Sequence, residues 1–174
     1  MPIPATREHP ERLDYGYERK GTASIFMFAE PKSGFRQATA RPRRTKHDWA
    51  QEVACLLDHR YSGVQRMVLV ADNLNTHTMG AFYEAFPPQK AREYLRRIEF
   101  VHTPKHGSWL NVAECELSCM TRQCLAERRI GDSATLQTQI AAWAAQVNEK
   151  QRSVDWQFTI DKARTKLKRL YPKI

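Results

Sequence analysis

The chain has 174 residues, 41% of them hydrophobic and 27% charged, which is typical of one globular domain and argues against a disordered or fibrous chain. Its apolar runs are far shorter than the roughly 20 residues of a membrane span, and its polar, proline-broken start is unlike a signal peptide. We therefore expect a soluble intracellular protein with no membrane partner. The formal net charge of +9 favours nucleic acid as the partner, because Lys and Arg release counterions on a polyanion. A merely soluble basic surface would carry the same charge.

The first part of the chain predicts an irregular segment, a β-hairpin and a helix. Residues 1–20 contain three prolines and many charges. Two strands are predicted at 22–30 and 35–42, joined by the turn sequence PKSG. A helix should follow, because Thr45 and Asp48 have the spacing of a capping box and apolar residues recur at helical spacing after them.

The middle of the chain predicts two parallel strands. The nearly continuous apolar run at 65–73 is typical of a central strand covered on both faces. Predicted helices at 79–86 and up to about Arg97 lead to a short strand at 98–103, and this order favours a right-handed crossover. The expected fold is mixed α/β, with Asp72 at the carboxyl ends of the parallel strands, where such sheets bind ligands.

The last third of the chain predicts three helices. The first should begin at Gly107 and Ser108, with Ser108 as its N-cap, and run to about Leu125. The second should span about 133–150, and the third, the most basic element, about 161–170. The four cysteines are too few for a disulfide scaffold, and no C-x-x-C pair suggests zinc, so we expect reduced thiols.

Carboxylates on separate elements suggest a metal-dependent site. Asp72 ends a strand, while Glu114 and Glu116 lie in the first turns of a helix that begins beside the sheet. Carboxylates that converge on one or two Mg²⁺ ions would suit phosphoryl transfer on DNA. Asp72 could instead cap its own turn. The two glutamates are about 200° apart around the helix, so they cannot both face Asp72, and Glu116 lies closer to the apolar face.

The blocks VLVADNLNTH and RIEFVHTPKHGSWLNVAECELSCMTRQCL resemble the DDE-type transposases of the IS630/Tc1-mariner superfamily, whose catalytic domain has a ribonuclease H-like fold. The resemblance extends over nearly the whole chain. It implies that Asp72 and Glu114 are catalytic and metal-binding carboxylates, with Glu116 as the second choice. It also implies Mg²⁺ or Mn²⁺ in a two-metal site of the complete enzyme, DNA transposition and recombination, and a bacterial cytoplasmic protein associated with the nucleoid through DNA.

The resemblance also implies a first catalytic Asp on a central strand, upstream of the segment that residues 1–20 resemble. Asp14 lies after that position in the pattern, so we expect an N-terminally truncated catalytic domain, with an irregular segment at 1–20 and the partial domain at 21–174. Loss of the strand would open two sheet edges. The expected fragment is inactive alone and pairs as a homodimer or with a complementing upstream fragment. The alternatives are a non-catalytic DNA-binding or dominant-negative remnant, and the downstream half of a frameshifted transposase.

Supporting and DNA-binding residues complete the expected site. Asn73, His77, His106 and Asn111 could position carboxylates, water or phosphate, although turn formation and helix capping are common roles for these residue types. Basic side chains in two segments and one loop could bind DNA phosphates, with a solvated surface as the alternative. These cations are Arg41, Arg43, Arg44, Lys46, Lys105, Lys162, Arg164, Lys166, Lys168 and Arg169.

Overall fold

A computed structural model describes residues 6–9, 20–104, 110–126 and 128–166 of the chain. Strands and helices alternate along it in the mixed α/β order that the sequence predicts. The strands are β1 (Ser24–Glu30), β2 (Phe35–Arg41), β3 (Met67–Ala71) and β4 (Ile98–His102). The helices are α1 (Lys46–Asp58), α2 (Gly80–Ala85), α3 (Pro88–Arg96), α4 (Val112–Met120), α5 (Ser133–Glu149) and α6 (Ile160–Lys166). No described helix is both long and apolar enough to cross a bilayer.

The predicted β-hairpin is confirmed. β1 and β2 pair antiparallel in a continuous register from Ser24 opposite Arg41 to Glu30 opposite Phe35. Gly34 closes the turn at φ +74°, a conformation that side chains disfavour, and donates its N–H to the Glu30 carbonyl at 3.0 Å. A Cβ at this position would lie 2.6 Å from the backbone carbon of residue 151. Glycine is therefore required both by the backbone angle and by the close approach of another segment.

The predicted parallel pair is also confirmed, since β3 and β4 align from Met67 opposite Ile98 to Ala71 opposite His102, joined through α2 and α3. The expectation that β3 is covered on both faces was wrong. Met67 and Leu69 pack against the core, whereas Val68 is 57% exposed and Val70 is 51% exposed. These two valines line an open groove and do not face a second packed layer. The apolar run is continuous for that reason.

One core lies between the two strand pairs and helices α1 to α3. Thr45 caps α1 and forms the predicted capping box with Asp48, which fixes where the helix begins. The apolar side of α1 then packs on one face of the hairpin and on the covered face of β3 and β4. The buried members of this core are Phe26, Trp49, Ala50, Val53, Ala54, Leu57, Ala81, Phe82, Ala91 and Tyr94.

A second core covers the opposite face of the hairpin. α5 packs there, and its Trp143 is a buried core residue. The buried members are Met27, Ala38, Met120, Cys124, Ile140, Trp143 and Ala144. Helices from two parts of the chain therefore enclose β1 and β2 from both sides.

The start of α4 differs from the prediction. The helix begins at Val112 rather than at Ser108, because the side chain of Asn111 accepts the N–H of Ala113 at 3.1 Å and acts as the N-cap. Ser108 lies outside the described residues. The helix also does not continue regularly to Leu125, since its last turn, Thr121–Leu125, is π-helical.

Candidate functional site

Asp72 lies immediately after β3 and caps its own turn, while one of its carboxylate oxygens has no partner among the described residues. Its Oδ1 accepts the backbone N–H of Leu74 at 3.2 Å, as the turn-capping alternative predicts, and also bonds Nδ1 of His77 at 2.7 Å. Oδ2 makes no hydrogen bond to any described residue. The Asp72 side chain is 31% exposed. One carboxylate oxygen is thus held by the protein while the other is available to a ligand.

The residues around this strand end tie the two parallel strands together. Asn73 donates its side-chain amide to the carbonyl of Thr103 at 2.7 Å, and Thr103 in turn donates its N–H to the carbonyl of Ala71. His102 bonds the backbone carbonyl of His77 through Nε2 at 3.2 Å. The ends of β3 and β4 are therefore fixed to each other. His106 and Lys105 lie outside the described residues.

The two candidate glutamates of α4 have different surroundings. Glu116 is 8% exposed and forms an ion pair with Arg36, whose Nη2 lies 2.7 Å from Oε1 of Glu116. This burial confirms that Glu116 lies nearer the apolar face. Glu114 is exposed in the first turn, and its side chain makes no hydrogen bond or ion pair with a described residue. Of the two carboxylates, Glu114 is the one that a metal or a substrate could reach without breaking a buried pair.

An open groove of about 620 Å³ runs between the two strand pairs. Consecutive residues of β1 and of β3 line it, and within the described ranges β1 pairs only with β2 and β3 only with β4. The start of α4 and Trp156, which is 47% exposed, complete its walls. Val70, two residues before Asp72, and Ala113, one residue before Glu114, both line the groove. Each carboxylate therefore lies one or two residues along the chain from the lining of the same groove.

Comparison with known proteins identifies the family. A model of the DDE superfamily endonucleases matches residues 2–137, most of the chain. The chain belongs to the DDE superfamily endonucleases. Such domains are transposase-type catalytic domains that act on DNA and usually use divalent metal ions. No curated protein and no solved structure matched the chain.

The donor chemistry of this DDE endonuclease domain fits a divalent cation, while the number of ligands falls short. Mg²⁺ prefers carboxylate oxygens, and Oδ2 of Asp72 and the carboxylate of Glu114 are both free of described partners. Within 6–9, 20–104, 110–126 and 128–166, however, no three His, Cys, Asp or Glu side chains are grouped so that they could hold a metal. A site with three such side chains would therefore need a ligand from outside these ranges.

The predicted DNA-binding cations fall into two groups. Arg41 is half-buried and engaged with Glu52 at 2.5 Å and with Gln51 at 2.8 Å, so it stabilises the junction of β2 and α1. Lys46 pairs with Glu84 at 2.8 Å. The exposed members are Arg43, Arg44, Lys162, Arg164 and Lys166, the last three on α6, which has no buried residue. Lys168 and Arg169 lie outside the described residues.

The sequence did not point to two features of the site. Trp49 was expected only in the apolar stripe of α1, yet its ring also lies against His77, with centroids 5.3 Å apart. Arg36 lies on the same face of β2 as Ala38 and Ala40, where it is 6% exposed and holds Glu116. Neither contact has a local signal, because each joins residues that are far apart in the chain.

Proposed function

We propose that this DDE endonuclease domain is the catalytic domain of an insertion-sequence transposase of the IS630/Tc1-mariner type, with a ribonuclease H-like sheet. It cleaves a DNA strand and joins the freed 3′ end to target DNA. The observation that carries the proposal is the strand-end Asp72, whose Oδ1 is held while Oδ2 has no described partner. Its strand lines a groove that the start of α4, the helix that carries Glu114, also lines.

In this proposal Asp72 and Glu114 hold Mg²⁺ or Mn²⁺. When bound, a pair of such ions activates the attacking oxygen and stabilises the leaving one. Asp72 offers Oδ2, because Leu74 and His77 already occupy Oδ1. Glu114 is preferred to Glu116, since using Glu116 would leave Arg36 as a buried charge without its partner.

A third carboxylate would be delivered by a strand seated in the groove between β1 and β3. The support is that consecutive residues of both strands line the groove, which exposes two backbone edges able to pair with an added strand. That strand would come from outside the described residues, either in a longer form of this chain or in a second chain. We propose that the chain is inactive, or nearly so, until such a strand is supplied.

The exposed cations would bind the DNA backbone. Arg43 and Arg44 follow β2, and Lys162, Arg164 and Lys166 project from α6 without a buried side chain among them. Contacts of this kind position the nucleic acid without reading its sequence.

Metal binding is the direct test, with Mn²⁺ alone as the probe and the signal of free Mn²⁺ in electron paramagnetic resonance as the readout. Asp72→Asn and Glu114→Gln should each weaken binding by about tenfold or more, because each removes a negatively charged ligand. Glu93→Gln is the matched control, since this exposed carboxylate on α3 pairs only with Lys90 at 3.6 Å. Unchanged Mn²⁺ affinity in Asp72→Asn would refute the proposed site.

A second candidate function is DNA binding without catalysis. The shortage of metal ligands among the described residues favours it. A salt titration of binding to a short DNA duplex, with and without Mg²⁺, separates the two candidates. Two results together would favour DNA binding without catalysis. Binding would be tight and salt-sensitive but independent of Mg²⁺, and supercoiled plasmid would not be nicked even after the segment encoded directly upstream is supplied.

A further inference from the structure

The His77 side chain is aimed at one oxygen of Asp72. Its Nδ1 lies 2.7 Å from Oδ1, which also accepts the N–H of Leu74. Because an ionised carboxylate only accepts hydrogen bonds, Nδ1 must carry the hydrogen and donate it. Two donors therefore meet at one oxygen, and the plane of the carboxylate is fixed by them.

Contacts from α1 and β4 hold His77 in place. The ring lies against Trp49 of α1 with centroids 5.3 Å apart and planes tilted by 30°. Trp49 is 3% exposed and packs edge-on against Phe82 and Phe100, at 5.8 and 5.7 Å. The backbone of His77 is also bonded, since its carbonyl meets Nε2 of His102. The orientation of Asp72 is thus set by the core through Trp49 and His77.

We propose that His77 is a positioning residue that presents Asp72 to a metal ion through Oδ2 alone. The inference rests on the proposed function, in which Asp72 is a ligand, and adds how the ligand is oriented. A carboxylate with Oδ1 held by two donors binds a cation through one oxygen, in a fixed direction. Partners that orient a metal ligand in this way typically change metal affinity by 10–100-fold when they are removed.

Two substitutions separate the hydrogen bond from the packing. His77→Asn keeps a donor near the position of Nδ1 and loses the ring, whereas His77→Phe keeps a ring against Trp49 and loses the donor. If His77 positions Asp72, His77→Phe should weaken Mn²⁺ binding by about tenfold or more, and His77→Asn should stay much closer to the parent chain. His47→Asn on the exposed side of α1 is the control.

Each outcome of the Mn²⁺ titration supports or overturns the positioning role of His77. Equal weakening in His77→Phe and His77→Asn, or affinity retained in His77→Phe, would overturn the positioning role while Asp72→Asn still weakened binding. If Asp72→Asn binds Mn²⁺ as well as the parent chain does, the proposed function itself has failed, and the inference with it. Urea midpoints of both His77 variants show whether each is folded at the protein concentration used.

Discussion

The hairpin and the parallel pair are both two-stranded among the described residues, yet they are enclosed very differently. The hairpin alternates its side chains into two cores, with Phe26 in the core of α1 to α3 and Met27 in the second core, which α4 and α5 cover. The parallel pair has only one covered face, and Val68, Val70 and Val101 are 57, 51 and 40% exposed on the other. The hairpin is covered on both faces. The parallel pair, which leads to Asp72, has one uncovered face and one strand edge that is unpaired among the described residues.

This difference in enclosure bears on function. Open strand edges and exposed apolar side chains are costly in an isolated domain, because they invite pairing with other chains. Here both occur along the strand that leads to the free oxygen of Asp72. The open part of the fold is therefore the part where a ligand, or a further strand, would complete a site.

The largest expected effect comes from breaking the ion pair that fastens α4 over the hairpin. Arg36→Met leaves Glu116, 8% exposed, without its counter-charge and should cost about 3–5 kcal/mol in the free energy of unfolding. Arg36 also donates to the carbonyls of Gly34 and Arg152, so its loss removes one of the bonds between the hairpin and the segment after α5. Urea unfolding measures the cost.

The double variant Arg36→Met with Glu116→Leu is the control. It should recover most of the lost stability, since replacing a buried pair by apolar side chains of similar size is often neutral. Native-state hydrogen exchange should show the single variant losing protection in β1 and β2 more than in β3 and β4. Equal loss in both strand pairs would contradict the view that they are held separately.

A truncation in each strand pair tests the comparison itself. Met27→Ala, in the hairpin and 9% exposed, should cost about 2–5 kcal/mol because it leaves a cavity in the second core. Val68→Ala, 57% exposed on β3, should change the free energy of unfolding by no more than about 0.5 kcal/mol. Urea unfolding of both variants at one protein concentration is the measurement.

The comparison would break if Val68→Ala cost as much as Met27→Ala. Such a result would mean that the outer face of β3 is covered in solution. Repeating the measurement over a range of protein concentrations would then show whether a second copy is the cover, since only that case depends on concentration.

The sequence predicted the parts of the fold that depend on neighbours in the chain. The turn at Gly34, the capping box of Thr45 and Asp48, and the periodic stripe of α5 are local signals, and each element formed where it was expected. The α4 start was misplaced because both Ser108 and Asn111 are residue types that make good N-caps, and Asn111 makes the cap bond of the helix that begins at Val112.

The candidate site was predictable only in part. The position of Asp72 at a strand end follows from the apolar run before it, and helical geometry separates the faces of Glu114 and Glu116. The apolar face of α4 correctly placed Glu116 on the buried side, but its partner Arg36 lies 80 residues away and has no local signal. The apolar run of β3 predicted wrongly that both faces are covered, because the exposure of Val68 depends on which strands pair.

The smallest expected effect concerns the N-cap of α5. This helix covers one face of the hairpin, whereas no described helix covers the outer face of β3. Asp132 accepts the N–H of Thr135 at 2.8 Å and its hydroxyl at 2.7 Å, and these bonds hold the pKa of Asp132 below its ordinary value of 3.8. A carboxyl whose pKa is lowered by folding stabilises the fold above pH 3.8 and loses that contribution as pH falls through the lowered pKa.

Asp132→Asn keeps an acceptor at the N-cap but does not titrate. The urea midpoint of the parent chain should therefore exceed that of Asp132→Asn at about pH 6, and the gap should close towards about pH 3. A gap that stays constant over this range would show that the ionised cap of α5 contributes nothing to holding the second face of the hairpin.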